Sequence, residues 1–167
     1  MIIEQQKTIL LAEDDENDAL LLELALHHAE VFNPLKVVSN GREAVEYLKG
    51  SGAYADRTRH PFPSLLLLDL NLPVLSGFDV LAWRAKQSSL PRFPIVVMSS
   101  SNLKADVHKA ISLGADGYCI KPAGLQYLVD AVRELYDRWL KPAVPARTLQ
   151  LHDIRRRALL TARNAAA

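Results

Sequence analysis

Short apolar runs alternate along the chain with stretches whose apolar residues recur every three or four positions. The runs are Thr8–Ala12, Leu35–Val38, the four leucines Leu65–Leu68, Ile95–Met98 and Gly117–Ile120. Each is short and bounded by turn formers, which suits strands buried on both faces, as in a parallel sheet. Between them the period changes. Leu20–Ala29 carries Leu20, Leu21, Leu24 and His28 at helical spacing. Arg42–Lys49 offers Ala44, Val45 and Leu48, and Phe78–Lys86 offers Val80, Leu81 and Trp83. Leu103–Leu113 reads as a helix polar on one face and stopped by Gly114. After Gly124, the residues Leu125, Leu128, Val129, Val132, Leu135, Tyr136 and Trp139 form one stripe, ended by Pro142 and Pro145. Gly50–Pro63 has no periodicity and many breakers. It is a loop well beyond the usual ~4–6 residues, a length that often marks function or mobility.

Strands alternate with helices five times. That pattern predicts an α/β fold, a doubly wound parallel sheet of five strands with right-handed crossovers. In such a sheet all strands end on one edge, and ligands bind there.

Composition narrows the picture. The chain has 167 residues, about one domain. We assign residues 1–140 to it and 141–167 to a C-terminal extension without a fold of its own. That extension holds Arg155, Arg156 and Arg157 in a stretch that reads as a short helix, LHDIRRRALL. Apolar residues make up 49%, enough for a core. Yet no run approaches the ~20 residues of a membrane span, and the N-terminus does not read as a secretory signal. The expectation is a cytoplasmic protein without a membrane partner. A single cysteine, Cys119, excludes an internal disulfide framework and a multi-cysteine metal site. Its apolar neighbours Tyr118 and Ile120 predict a buried, inert thiol. A net charge of +1 gives no general reason to expect DNA or other nucleic acid.

The strand ends carry the chemistry. EDDEND, Glu13–Asp18, follows the first strand. Acids near a helix N-terminus are stabilising, and that accounts for Asp15, Glu16 and Asp18. It accounts poorly for Glu13 and Asp14, which extend a buried strand. Asp69 ends the third strand, Ser99 the fourth and Lys121 the fifth. Two carboxylates ~4 Å apart repel by about 4 kcal/mol at an effective dielectric of ~20, so this group calls for a cation, or for one acid to stay protonated. Oxygen donors alone favour a hard ion, and Mg2+ would be satisfied by two carboxylates and a backbone carbonyl. Asp14, Asp69 and the carbonyl of Asn71 are the candidate ligands, with Glu13 acting on metal-bound water. Such a site suits phosphoryl transfer, with Asp69 as nucleophile, Lys121 neutralising charge and Ser99 bonding a phosphoryl oxygen.

This ordered set resembles the receiver domain of two-component response regulators over about Thr8–Leu140. Glu13 and Asp14 match the family's acidic pair, and Asp69 its phosphorylated aspartate. Asn71, Pro73 and Gly77 complete the DxNxPxxxG turn. Ser99 matches the switch hydroxyl, Tyr118 the switch aromatic, and Lys121 the lysine of the Lys-Pro pair. Glu13 stands where Asp is commoner and Ser99 where Thr is commoner, and neither change removes a required group. The resemblance implies a flavodoxin-like sheet of strand order 2-1-3-4-5. It also implies Mg2+-dependent transfer from the phosphohistidine of a sensor histidine kinase, and a cis Lys121–Pro122 bond. Ser99 and Tyr118 would shift, remodelling the face of the fourth helix, fifth strand and fifth helix. Asn71 and Ser101 fall at positions that tune the lifetime of the phosphorylated state. The Gly50–Pro63 loop and the wording HPFPSLLLLDLNLP are similar to stand-alone regulators paired with phytochrome-type kinases. Apolar content around Tyr127 and Trp139 adds the expectation of a homodimer through the fourth-helix to fifth-helix face.

Three other readings compete. A phosphatase of the haloacid-dehalogenase kind also forms an aspartyl phosphate, but it needs an acid two residues after the nucleophile, where Asn71 stands. A phosphate-independent interaction module would have no use for the whole set of Glu13, Asp14, Asp69, Ser99 and Lys121. A DNA-binding regulator would need an output domain after Lys141. The expectation is a regulator that catalyses only its own phosphorylation and dephosphorylation, not an enzyme acting on other substrates. His27 and His28 read as exposed polar residues.

Overall fold

The computed structural model describes residues 7–141. The expected helix within 142–167, its arginine cluster and the two prolines lie outside the described residues. Five strands form the sheet: β1 (Ile9–Ala12), β2 (Leu35–Val38), β3 (Leu65–Leu68), β4 (Ile95–Ser99) and β5 (Gly117–Ile120). All pairings are parallel, and the order is β2-β1-β3-β4-β5. The helices between and after them are α1 (Glu16–His28), α2 (Gly41–Lys49), α3 (Gly77–Ala85), α4 (Lys104–Ser112) and α5 (Leu125–Leu135). This is the doubly wound architecture that the alternation predicts.

The leucine run of β3 explains itself in three dimensions. Successive side chains point to opposite faces. Leu66 and Leu68 enter one apolar cluster with Ala44, Leu48, Val80 and Leu81 of α2 and α3. Leu65 and Leu67 enter the other, with Leu22, Leu26, Val129 and Val132 of α1 and α5. A strand covered on both sides has no polar face, so its sequence does not alternate.

Two helices differ from expectation. In α1 the buried residues are Leu22, Ala25 and Leu26, while Leu20 (55%), Leu21 (40%) and Leu24 (44%) remain exposed. The apolar residues nearly encircle this helix, so periodicity alone does not select the inward face. The stripe after Gly124 is interrupted as well: α5 ends at Leu135 and the chain widens into a π-helical turn, Tyr136–Leu140. Leu140 is still buried, so the wider turn keeps it on the core.

The long loop after α2 contains one 3-10 turn, Gly52–Tyr54. Arg57 folds it back. Its guanidinium donates to the carbonyls of Tyr47 (2.8 Å) and Leu48 (2.8 Å), which end α2, and to that of His60 (3.2 Å). The Tyr47 carbonyl also accepts the Gly50 N–H at 3.1 Å, and Arg57 adds to this closure of the helix end. The Tyr47 ring packs at a tilt against Tyr54 and edge-on against His60, and its hydroxyl donates to the Pro61 carbonyl at 3.0 Å.

Candidate functional site

The parallel ladder continues one residue past three strand ends. The Glu13 N–H donates to Val38 (3.0 Å), that of Asp69 to Ala12 (3.0 Å) and that of Lys121 to Ser99 (2.9 Å). Glu13, Asp69 and Lys121 are thus held on the carboxyl edge by backbone bonds, and their side chains meet there. Glu13 and Asp69 are each 5% exposed and Ser99 is fully buried, whereas Asp14 is exposed.

Carboxylate oxygens of Glu13, Asp14 and Asp69 lie within 4.8 Å of one another. This is a hard, all-oxygen donor set of the kind that magnesium or manganese takes. Lys121 Nζ donates to Asp69 Oδ2 (2.6 Å), Glu13 Oε2 (2.7 Å) and Asp18 Oδ2 (2.8 Å). Burial opposes the ammonium charge, but hydrogen bonds to Asp18, Asp69 and Glu13 hold the Lys121 pKa well above the usual lysine value. Burial pushes the Glu13 carboxyl above its ordinary value, against the pull of Lys121. The lysine therefore stays cationic and is shared among acids that repel each other.

The turn after Asp69 is built around tight approaches. The Asn71 N–H donates to Asp69 Oδ1 at 3.0 Å, and the Gly77 N–H to the Leu70 carbonyl at 3.0 Å. A Cβ on Gly77 would lie 2.2 Å from the Asp69 carbonyl oxygen, so only glycine fits. Ser76 caps α3 in a reciprocal capping box with Asp79. Val74 completes the turn at φ +68°, a left-handed conformation that a β-branched residue rarely takes.

On the far side, Ser99 Oγ accepts the Ser101 N–H at 3.2 Å. The Tyr118 ring is half-buried against the core, and its hydroxyl donates to the Ser101 carbonyl at 2.9 Å. Ser99 and Tyr118 are therefore joined through one loop residue. The Ser101 hydroxyl also bonds the Asp106 carboxylate in α4.

Three expectations need correction. No described peptide bond is cis, so Lys121–Pro122 is trans. The trans form is the intrinsically favoured one for X–Pro bonds. Asp18 is not merely a helix-end acid. The N-cap is Asp15, whose carboxylate accepts from the N–H groups of Asn17 (2.7 Å) and Asp18 (3.3 Å). That leaves the Asp18 side chain free of capping, in the first turn of α1 and facing Lys121. Cys119 is only half-buried, and burial raises its thiol pKa, which keeps it protonated.

Comparisons with known proteins show the family of this chain. The family description "Response regulator receiver domain" matches residues 9–133. Response regulator Rcp1 of Synechocystis sp. is 33% identical over 135 residues, covering 81% of this chain and 90% of the relative. The Mn(2+)-bound form of Rcp1 superimposes with a TM-score of 0.72, covering 84% of this chain and 99% of that one. The phosphorylated cyanobacterial phytochrome response regulator RcpA gives a TM-score of 0.75 at 36% identity, covering 84% of this chain and 98% of that one. Response regulator RPA3017, described in red light signalling of R. palustris, gives 0.78 at 32% identity, covering 82% and 96%.

Proposed function

The chain belongs to the response regulator receiver domain family, and from that premise we propose that it is a single-domain regulator accepting a phosphoryl group on Asp69 from a sensor histidine kinase. An Asp69 carboxylate oxygen attacks phosphorus. The N–P bond to the kinase histidine breaks, and its electron pair stays on the imidazole nitrogen. One observation carries this reading: Asp69 lies within hydrogen-bonding distance of Lys121 and close to two further carboxylates at a strand end.

Glu13, Asp14, Asp69 and the Asn71 carbonyl would hold a divalent cation, Mg2+ in our reading. The ion would supply positive charge opposite the phosphoryl oxygens. Lys121 supplies the second positive charge, and its ammonium needs to shift only from the Asp69 carboxylate to the group built on it. Ser99 Oγ donates to a phosphoryl oxygen once it turns from the Ser101 N–H. Tyr118 loses or keeps its bond to Ser101 accordingly, which links the site to α4 and β5. This is a two-state equilibrium biased by new charge-assisted bonds.

The partners follow from surface and kinship. Relatives named for phytochrome and red-light signalling support a phytochrome-type kinase as donor. Leu103 (61% exposed), Ile111, Ile120 and Tyr127 (69%) leave apolar surface on α4, β5 and α5, which supports a homodimer through that face. Sedimentation with and without a phosphoryl mimic tests it, and a protein monomeric in both states would refute it.

The direct test uses acetyl phosphate with Mg2+ and intact-protein mass spectrometry. The expected outcome is one phosphate on the native chain and none on Asp69→Asn. Equal uptake by Asp69→Asn would remove Asp69 as acceptor. No uptake by the native chain, from acetyl phosphate or a kinase, would favour a phosphate-independent interaction module.

A further inference from the structure

Lys121 touches three carboxylates, and only two of them belong to the cation-fitting group. Asp18 is the third. It comes from α1 rather than from a strand end, and its carboxylate oxygen is 2.8 Å from the ammonium. Its side chain is 42% exposed against 20% for Lys121, so it forms the outer wall between the lysine and solvent. Leu21, Leu22, Met98, Pro122 and Leu128 line a cavity of about 60 Å³ beside the pair. The lysine stem therefore runs along apolar surface and its head is fixed by acids alone.

We propose that Asp18 is a positioning residue that holds the Lys121 ammonium on the site while Asp69 and Glu13 take up other partners. An ammonium has three N–H donors, and here each has one carboxylate. Phosphorylation converts the Asp69 carboxylate into an acyl phosphate, and cation binding engages Glu13. Both acceptors on the strand ends are then redirected. Asp18 alone keeps its place, because Asp15 fixes the backbone of its turn. Without it the flexible lysine would swing toward water, since the other acid that lines the neighbouring cavity, Glu13, is the one a cation would engage.

This rests on the reading of Asp69 as phosphoacceptor, and the test separates the two. The full chain, Asp18→Asn, Asp18→Glu and Glu16→Gln are phosphorylated with acetyl phosphate and Mg2+ and followed by intact mass. Glu16 is a first-turn acid of the same helix that makes no bond to Lys121. Asp18→Asn is expected to lower the maximal rate about fivefold, with half-saturating donor and Mg2+ concentrations changed less than about twofold. Asp18→Glu should recover much of the rate, and Glu16→Gln should match the native chain. A rate for Asp18→Asn equal to or above the native rate overturns the inference, and so does an equal loss in Glu16→Gln. The amine resonances of Lys121 are recorded by nitrogen-15 NMR without any phosphodonor. They should shift or broaden in Asp18→Asn and remain in Glu16→Gln. If the native chain takes no phosphate, the reading of Asp69 fails, and this signal still decides the role of Asp18: an unchanged resonance rejects it.

Discussion

Gly77 shows how little freedom the turn after Asp69 has. A methyl group there would sit 2.2 Å from the Asp69 carbonyl oxygen and 2.8 Å from the Leu70 Cα. Both are backbone atoms and cannot step aside, so Gly77→Ala must push the acceptor out of line. Misplacement of a reacting group by ~1 Å can cost up to ~100-fold, and we expect at least about a tenfold slower uptake of phosphate from acetyl phosphate. Val74, three residues earlier, is the opposite case. It is 66% exposed and has φ +68°. A left-handed conformation costs a non-glycine residue about 1–2 kcal/mol, and little packing would be lost on removing this side chain. Val74→Gly should therefore raise stability by about 1 kcal/mol in urea unfolding. Asp79 carries a pH signature at the same turn. The Ser76 hydroxyl and N–H hold its carboxyl below the ordinary value of 3.8. A carboxyl depressed in the folded state contributes stability above its unfolded pKa and loses it as pH falls through the folded one. Asp79→Asn should flatten the fall of the melting temperature in that acid range and leave the slope near neutrality unchanged.

At the scale of elements, most helices were legible from the period that burial enforces, and the strands from short unbroken apolar runs between turn formers. β3 is the clearest: four leucines between turn formers suit a strand covered on both faces, and all four are buried. The carboxyl-edge residues Glu13, Asp69, Ser99 and Lys121 were legible for the same reason, since strand ends of a parallel sheet share one edge. Asp18 was not, because an acid in the first turn of a helix already has a sufficient local explanation. It becomes visible only when Asp15 is seen to be the cap. The inward face of α1 was hidden by leucines on several sides, and the π turn after Leu135 leaves the apolar spacing almost undisturbed. Nor was the order in Gly50–Pro63 legible, since Arg57 acts through backbone carbonyls that any residue would provide. Its effect is testable. Arg57→Ala should raise amide exchange across the loop and the last turn of α2 by about tenfold or more, while the sheet is unaffected. Gly50→Ala should act similarly, because its Cβ would lie 2.6 Å from Arg57 Nε at φ +67°.

For the whole molecule, the sheet edge is a place where folding and ion binding oppose and then support each other. Glu13, Asp14 and Asp69 are brought within 4.8 Å, and at an effective dielectric of ~20 each such pair repels by about 3–4 kcal/mol. Lys121 offsets part of this through its short bonds to Asp69 and Glu13. Burial is the main cause of the raised Glu13 pKa, and the Asp69 charge pushes it the same way to a smaller extent. The unfolded chain does not hold these acids together, so a divalent cation binds the folded state preferentially and stabilises it by mass action. At ten times its dissociation constant an ion contributes about 1.4 kcal/mol, which for a chain of this size is about 3–5 °C in melting temperature. Thermal unfolding with Mg2+ and again after EDTA should show that difference in the native protein. Asp69→Asn removes one of the repelling charges and one ligand together. It should melt higher than the native chain in EDTA and gain less from Mg2+. A native protein whose melting temperature ignores millimolar Mg2+, or an Asp69→Asn variant that gains as much as the native chain, would mean that these carboxylates do not act as one cation site.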